Sequence, residues 1–243
     1  MRYAKMIIGE CDMNKRKKII LFIILFIGMF IFPYIPLELF HINFNNLSEG
    51  MKVLYSFSCN VGYLLIVFII YYRKNINEFK DYIKNFKKHF KVSITYYIIG
   101  LIVMYLSNII IVTFFSSANP NNDIAIKQLI DIYPIYMLFS TIIYAPIVEE
   151  TIFRRCIKDV ITSFGNNKIT KYIFIIVSGL LFALMHVIGM VDTNMDYLYI
   201  IPYLSLGVAF AALYYKTDNL FTTIALHAFH NLVVILLYFL IGV

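Results

Sequence analysis

Pro134-Ile-Tyr-Met-Leu-Phe-Ser-Thr-Ile-Ile-Tyr-Ala-Pro-Ile-Val-Glu149-Glu150-Thr-Ile-Phe-Arg154-Arg155-Cys-Ile157 is an apolar run broken by two adjacent acids. It exceeds the roughly 20 residues that a helix needs to cross a bilayer core. Ionisable side chains at that depth are expensive, so each needs a partner or a task. Glu150 and Arg154 stand i,i+4, the spacing of an ion pair on one helix face. Adjacent residues on a helix diverge by about 100°, which leaves Glu149 directed elsewhere, free to face a cavity and act as a base.

The rest of the chain has the same apolar character. Of its 243 residues 61% are hydrophobic and only 14% charged, against about 25% charged in soluble domains. Apolar segments recur at 19–40, 53–72, 92–115, 134–157, 172–190, 197–215 and 220–241. The expected fold is all-α, a polytopic transmembrane helix bundle of about seven spans. Little length remains for a separate soluble domain. The chain reads as one integrated membrane domain, with N-terminal helices over 1–133 and a core over 134–243.

The net charge of +7 does not point to nucleic acid, and no nucleic-acid partner is expected. The basic residues cluster beside apolar segments, at Lys15 to Lys18, Arg73-Lys74, Lys84 to Lys91 and Arg154-Arg155. That is the distribution of topology determinants and lipid headgroup contacts. The connections alternate between basic and neutral or acidic, with Asp123 and Asp131 in one and Asp192 and Asp196 in another. This sets the N-terminus in the cytosol and the C-terminus outside. Ile19 to Leu37 is too long for the apolar core of a signal peptide and reads as a retained first span. The segment near 75–91 repeats Phe79, Tyr82, Ile83, Phe86 and Phe90 at helical spacing among lysines, the pattern of an amphipathic helix on the inner leaflet. Cys11, Cys59 and Cys156 show no metal-ligand spacing.

Two further motifs carry polar groups in apolar helices. Phe182-Ala-Leu-Met-His186 puts Phe182 and His186 on one face. His227-Ala-Phe-His230-Asn231 does the same for His227 and Asn231. Imidazole and carboxamide can both donate to a developing oxyanion. His230 lies off that face and reads as a supporting or packing residue. A carboxylate, two imidazoles and an amide are the parts needed to activate water and stabilise a tetrahedral intermediate. On straight helices, His186 and His227 lie at different heights above their connections, so the site needs tilt, a kink or a later start for the fifth span.

The ordered triple Glu149-Glu150-xxx-Arg154, Phe182-xxx-His186 and His227-xxx-Asn231 resembles the CAAX prenyl endopeptidase and bacteriocin-processing family, also called Abi or type II CAAX proteases. The stretch from Gly207 to Leu220 is similar to the family's run before its last histidine. The resemblance covers roughly residues 140–235, and some related enzymes have eight helices. It implies a glutamate-dependent intramembrane endopeptidase that cleaves a peptide or protein precursor near the cytosolic half of the membrane, and the richness in Ile, Asn, Lys and Tyr points to a bacterial cell membrane. Glu149 would activate water with help from His186, and Glu150 and Arg154 would support the site. His227 and Asn231 would form the oxyanion hole, and Phe182 would line the substrate pocket. No cofactor is expected. Were zinc used, Glu149, His186 and His227 would be its ligands, although no HExxH occurs. The alternatives are a non-catalytic bacteriocin immunity or binding protein of the same fold, and a proton-coupled transporter that uses the same ionisable groups. Membrane lipids are the remaining expected partner.

Overall fold

A computed structural model describes residues 13–115, 121–188 and 194–241. Cys11, Asp192 and residues 189–190 of the fifth expected span lie outside them. The described residues are helical and contain no strand. Among the described residues, seven helices are long and apolar enough to cross a membrane, as the hydropathy pattern requires. They are α1 (Lys15–Leu39), α2 (Glu49–Ile70), α4 (Phe86–Phe115), α6 (Pro134–Thr162), α7 (Lys168–Val187), α8 (Ile200–Thr217) and α9 (Leu220–Ile241). Two shorter helices join them, α3 (Tyr72–Lys84) and α5 (Asn121–Ile132). Rows of Ile, Leu and Phe are exposed on the outer faces of α1, α2 and α4. A water-soluble protein does not present apolar surface on that scale. The chain is an integral membrane protein.

The centre of the bundle is α8. Half of its apolar window is inside the protein (50%), against 6% for α1. Small residues make this packing close, because lipid supplies no hydrophobic drive for one apolar helix to prefer another. A Cβ on Gly207 would lie 2.8 Å from the Gly179 carbonyl oxygen, and one on Gly179 would lie 2.8 Å from the Val208 nitrogen. The α7 and α8 backbones therefore touch. Gly207→Ala is expected to destabilise the fold by about 1–3 kcal/mol through overpacking, read as a lower unfolding temperature in mild detergent. Gly50→Ala, where nothing lies within 4 Å, is the control that should show no such fall.

The basic segment near 75–91 differs in two ways from a single surface helix. It breaks at Asn85, which ends α3 by donating its side-chain amide to Asp81 at 2.7 Å. Its buried face is also polar. Asn75 and Glu78 point into the protein while Phe79 and Ile83 stay exposed. Glu78 accepts from Arg155 at 2.6 Å and from the Leu220 backbone N–H at 2.7 Å. Asn219 donates to the Glu78 carbonyl at 2.7 Å and to Asp81 at 3.0 Å. The Asn85 and Asn219 amides hold the Asp81 carboxyl below the usual carboxylate range. The start of α9 is thus drawn into the protein, with Asn219 and Leu220 each 1% exposed. The expected later start of the fifth span is not what the structure shows, since α7 begins at Lys168; it is the start of α9 that is inset.

Candidate functional site

The acid pair lies on an irregular part of α6. Residues Ser140–Tyr144 and Glu150–Cys156 form wide π turns on either side of Pro146. Proline has no N–H and its ring crowds the carbonyl four residues back, here Ile142, so the helix before it opens. The second turn carries the motif itself, and all seven of its residues are buried. Such turns recur at functional sites. Arg154 and Arg155, expected at a basic helix end, are both fully buried (0% exposed). The wide turn directs them inward on different sides.

Glu150 pairs with Arg154 as the spacing requires, with Nε to Oε2 at 2.9 Å. Arg154 also donates through Nη1 to Ser178 Oγ at 2.9 Å, and its guanidinium lies 4.8 Å over the Phe182 ring. Ser178 in turn donates to the Phe153 carbonyl at 2.6 Å. Hydrogen bonds and a cation–π contact together offset the removal of both charges from water. Ser178 was not singled out by sequence, yet it stands on the Phe182–His186 face at the same four-residue step.

Glu150 has a second partner. His227 Nδ1 lies 3.0 Å from Glu150 Oε1. A carboxylate only accepts, so Nδ1 carries the hydrogen and Nε2 is the nitrogen presented to the site. His186 is fixed in the same sense, with Nδ1 2.8 Å from the Phe182 carbonyl oxygen. Phe182 links the two imidazoles. Its ring centroid is 4.4 Å from that of His186 and 5.8 Å from that of His227. The structure thus brings Glu150, Arg154, Phe182, His186 and His227 into one connected cluster. Asn231 donates to the Thr141 carbonyl at 2.7 Å, which ties α9 to the first wide turn of α6. His230 turns away and contacts the Tyr97 hydroxyl at 3.1 Å.

Glu149 stands apart. Its Oε2 is buried and has no hydrogen-bond partner among the described residues, and no hydrogen bond joins it to either imidazole. A buried polar oxygen without a partner is uncommon and calls for a reason such as water or a ligand. Sequence reasoning also missed Tyr203. Its ring stacks on His186 with centroids 4.8 Å apart, and its hydroxyl donates to Asp123 at 2.6 Å. Beside them is a cavity with about 10 Å³ of room, enough for about one water molecule. No group of three or more His, Cys, Asp or Glu among the described residues could hold a metal ion.

His186 is the next-to-last residue of α7, whose first residue is Lys168. It lies at the end of that helix away from Lys168 and Lys171.

No curated protein and no solved structure matches the chain. Residues 131–233, which hold all three motifs, match the family model described as Type II CAAX prenyl endopeptidase Rce1-like, the family that those motifs resemble.

Proposed function

We propose that the protein is a glutamate-dependent endopeptidase of a bacterial cell membrane, hydrolysing a peptide bond of a peptide or protein precursor without a metal. The family match supports a protease acting on a polypeptide. The observation that carries the finer reading is the buried, unpartnered Oε2 of Glu149, adjacent in sequence to the Glu150 that holds His227. Glu149 takes a proton from water as the water oxygen adds to the scissile carbonyl carbon. The oxyanion is met by Asn231 and by His227, which donates through Nε2 when that nitrogen is protonated. The C–N bond then breaks and the proton passes to the leaving amine, so water is consumed and no other reactant is needed. His186 assists Glu149 in placing the water, and Phe182 lines the substrate path. Glu150 and Arg154 do not touch the substrate in this scheme. They orient His227 and keep its partner carboxylate charged in the interior.

The test is peptide cleavage by purified protein carrying Glu149→Ala, His186→Ala or His227→Ala, with and without chelator. Each variant is expected to lose activity, and chelator to change nothing. Undiminished cleavage in all three variants overturns the site. Loss with chelator that zinc restores overturns the metal-free reading.

A further inference from the structure

The side of the membrane that the site serves follows from where its parts lie, given the hydrolytic reading above. Lysines and arginines crowd one end of the bundle, at Lys15 to Lys18, Arg73 and Lys74, Lys80 to Lys91, Lys158, Lys168, Lys171 and Lys216. The other end holds Glu38, Glu49, Asp123, Asp131 and Asp196, with Lys52 and Lys127 the basic residues there. Burial of Arg154 and Arg155 removes both from the tally, and the asymmetry stands without them. The lysine end is therefore cytosolic.

Of the clustered groups, His186 lies farthest toward the opposite end, while Glu149 sits near mid-span, about 22 Å along α6 from its outward start at Pro134. At 1.5 Å per residue His186 is about 27 Å along α7 from Lys168, close to the full bilayer core of about 30 Å. His227 is only two turns into α9, but that helix starts inside the protein, where the Leu220 N–H is bonded to Glu78. Asn231 is held by Thr141, about two turns from the outward start of α6 at Pro134. The outer connections also build part of the site. Asp123 of α5 anchors the Tyr203 hydroxyl, and Tyr203 is the platform on which His186 stacks. Asn121, Asn122 and Asp196, from the same two connections, line the small cavity beside His186.

We infer that the site opens to the side of the membrane away from the cytosol. Its substrate is then an outward-facing peptide segment next to the membrane, in a chain already inserted in it or exported through it. Cytosolic segments are excluded by the height of His186 and by the Lys-rich elements that close the inner end. Among these, α3 is sealed to Arg155 and Asn219.

The experiment starts from a Cys11→Ser background, leaving the buried Cys59 and Cys156. Single cysteines are placed at exposed Asp131 and Tyr197 on the acidic side and at exposed Lys87 and Asn166 on the basic side. Intact cells are treated with a membrane-impermeant maleimide. Asp131→Cys and Tyr197→Cys are expected to label, and Lys87→Cys and Asn166→Cys only after permeabilisation. The reverse pattern, or labelling of both sets in intact cells, overturns the inference. An epitope inserted after exposed Asn46 gives the same answer without cysteines, by antibody binding to intact cells. For the substrate, new peptide N-termini are compared between cells expressing wild type and Glu149→Gln. Termini that differ should map to outward-facing segments, and a set confined to cytosolic segments overturns the inference. Labelling as expected with no differing termini sinks the protease reading while the sidedness stands.

Discussion

Glu149→Gln is expected to lower the rate of peptide cleavage by about 10²–10⁴-fold, the usual contribution of a positioned general base, while thermal unfolding stays near wild type. The two halves of that expectation come from one observation. Glu149 Oε2 makes no hydrogen bond in the folded protein, so an isosteric amide gives up no native partner. The carboxylate's basicity is what disappears. Wild-type cleavage in Glu149→Gln would remove Glu149 from the chemistry. A large fall in unfolding temperature would mean that its role is structural.

The neighbouring acid should behave in the opposite way. Glu150→Gln leaves Arg154 buried at 0% exposure without its counter-charge and weakens the hold on His227. Breaking a buried pair by removing one partner is worth about 3–5 kcal/mol. Lost activity in that variant therefore accompanies lost stability. The informative comparison is the ratio of the two losses at Glu149 and Glu150. A similar stability loss at both positions would end the division of labour between them.

How much of this was legible from sequence depended on the range of each interaction. The seven spans follow from local hydropathy, and the Glu150–Arg154 pair from a four-residue step on one helix. The step from Ser178 through Phe182 to His186 was legible too, had serine been weighed as a partner for a buried guanidinium. The wide turn at Glu150–Cys156 was not, because no residue type marks it, although Pro146 signals the first one. The Glu150–His227 contact joins positions 77 apart in the chain, and spacing alone cannot reveal it. Tyr203 and Asp123 belong to the same class, since each is unremarkable until α5 and α8 are packed together. The depth of α9 was hidden for a related reason. It depends on Asn219 and Glu78, polar residues that look like ordinary connector residues until they meet.

Arg155 is where that hidden polar network can be tested. Its guanidinium donates to Asn75 and Glu78 and lies 4.9 Å over the Tyr71 ring. It thus ties α3 to the turn that carries Arg154. Arg155→Met should destabilise the protein by about 3–5 kcal/mol, since Glu78 then keeps a buried charge with no cation beside it. Glu78→Gln should also be strongly destabilising, by stranding Arg155. The double variant removes both charges and keeps an amide oxygen to accept the Leu220 N–H. Its loss should fall short of the sum of the single losses by about 0.5–3 kcal/mol, the range for directly coupled residues. Denaturant or thermal unfolding in detergent measures all three. Additive losses would show that Arg155 and Glu78 act independently, and that α3 is not held by this pair. With coupling, Arg155→Met should also lower cleavage, because loosening the start of α9 moves His227 away from Glu150. Restoring the pair's balance in the double variant should recover part of that activity, which loss of the basic charge alone does not explain.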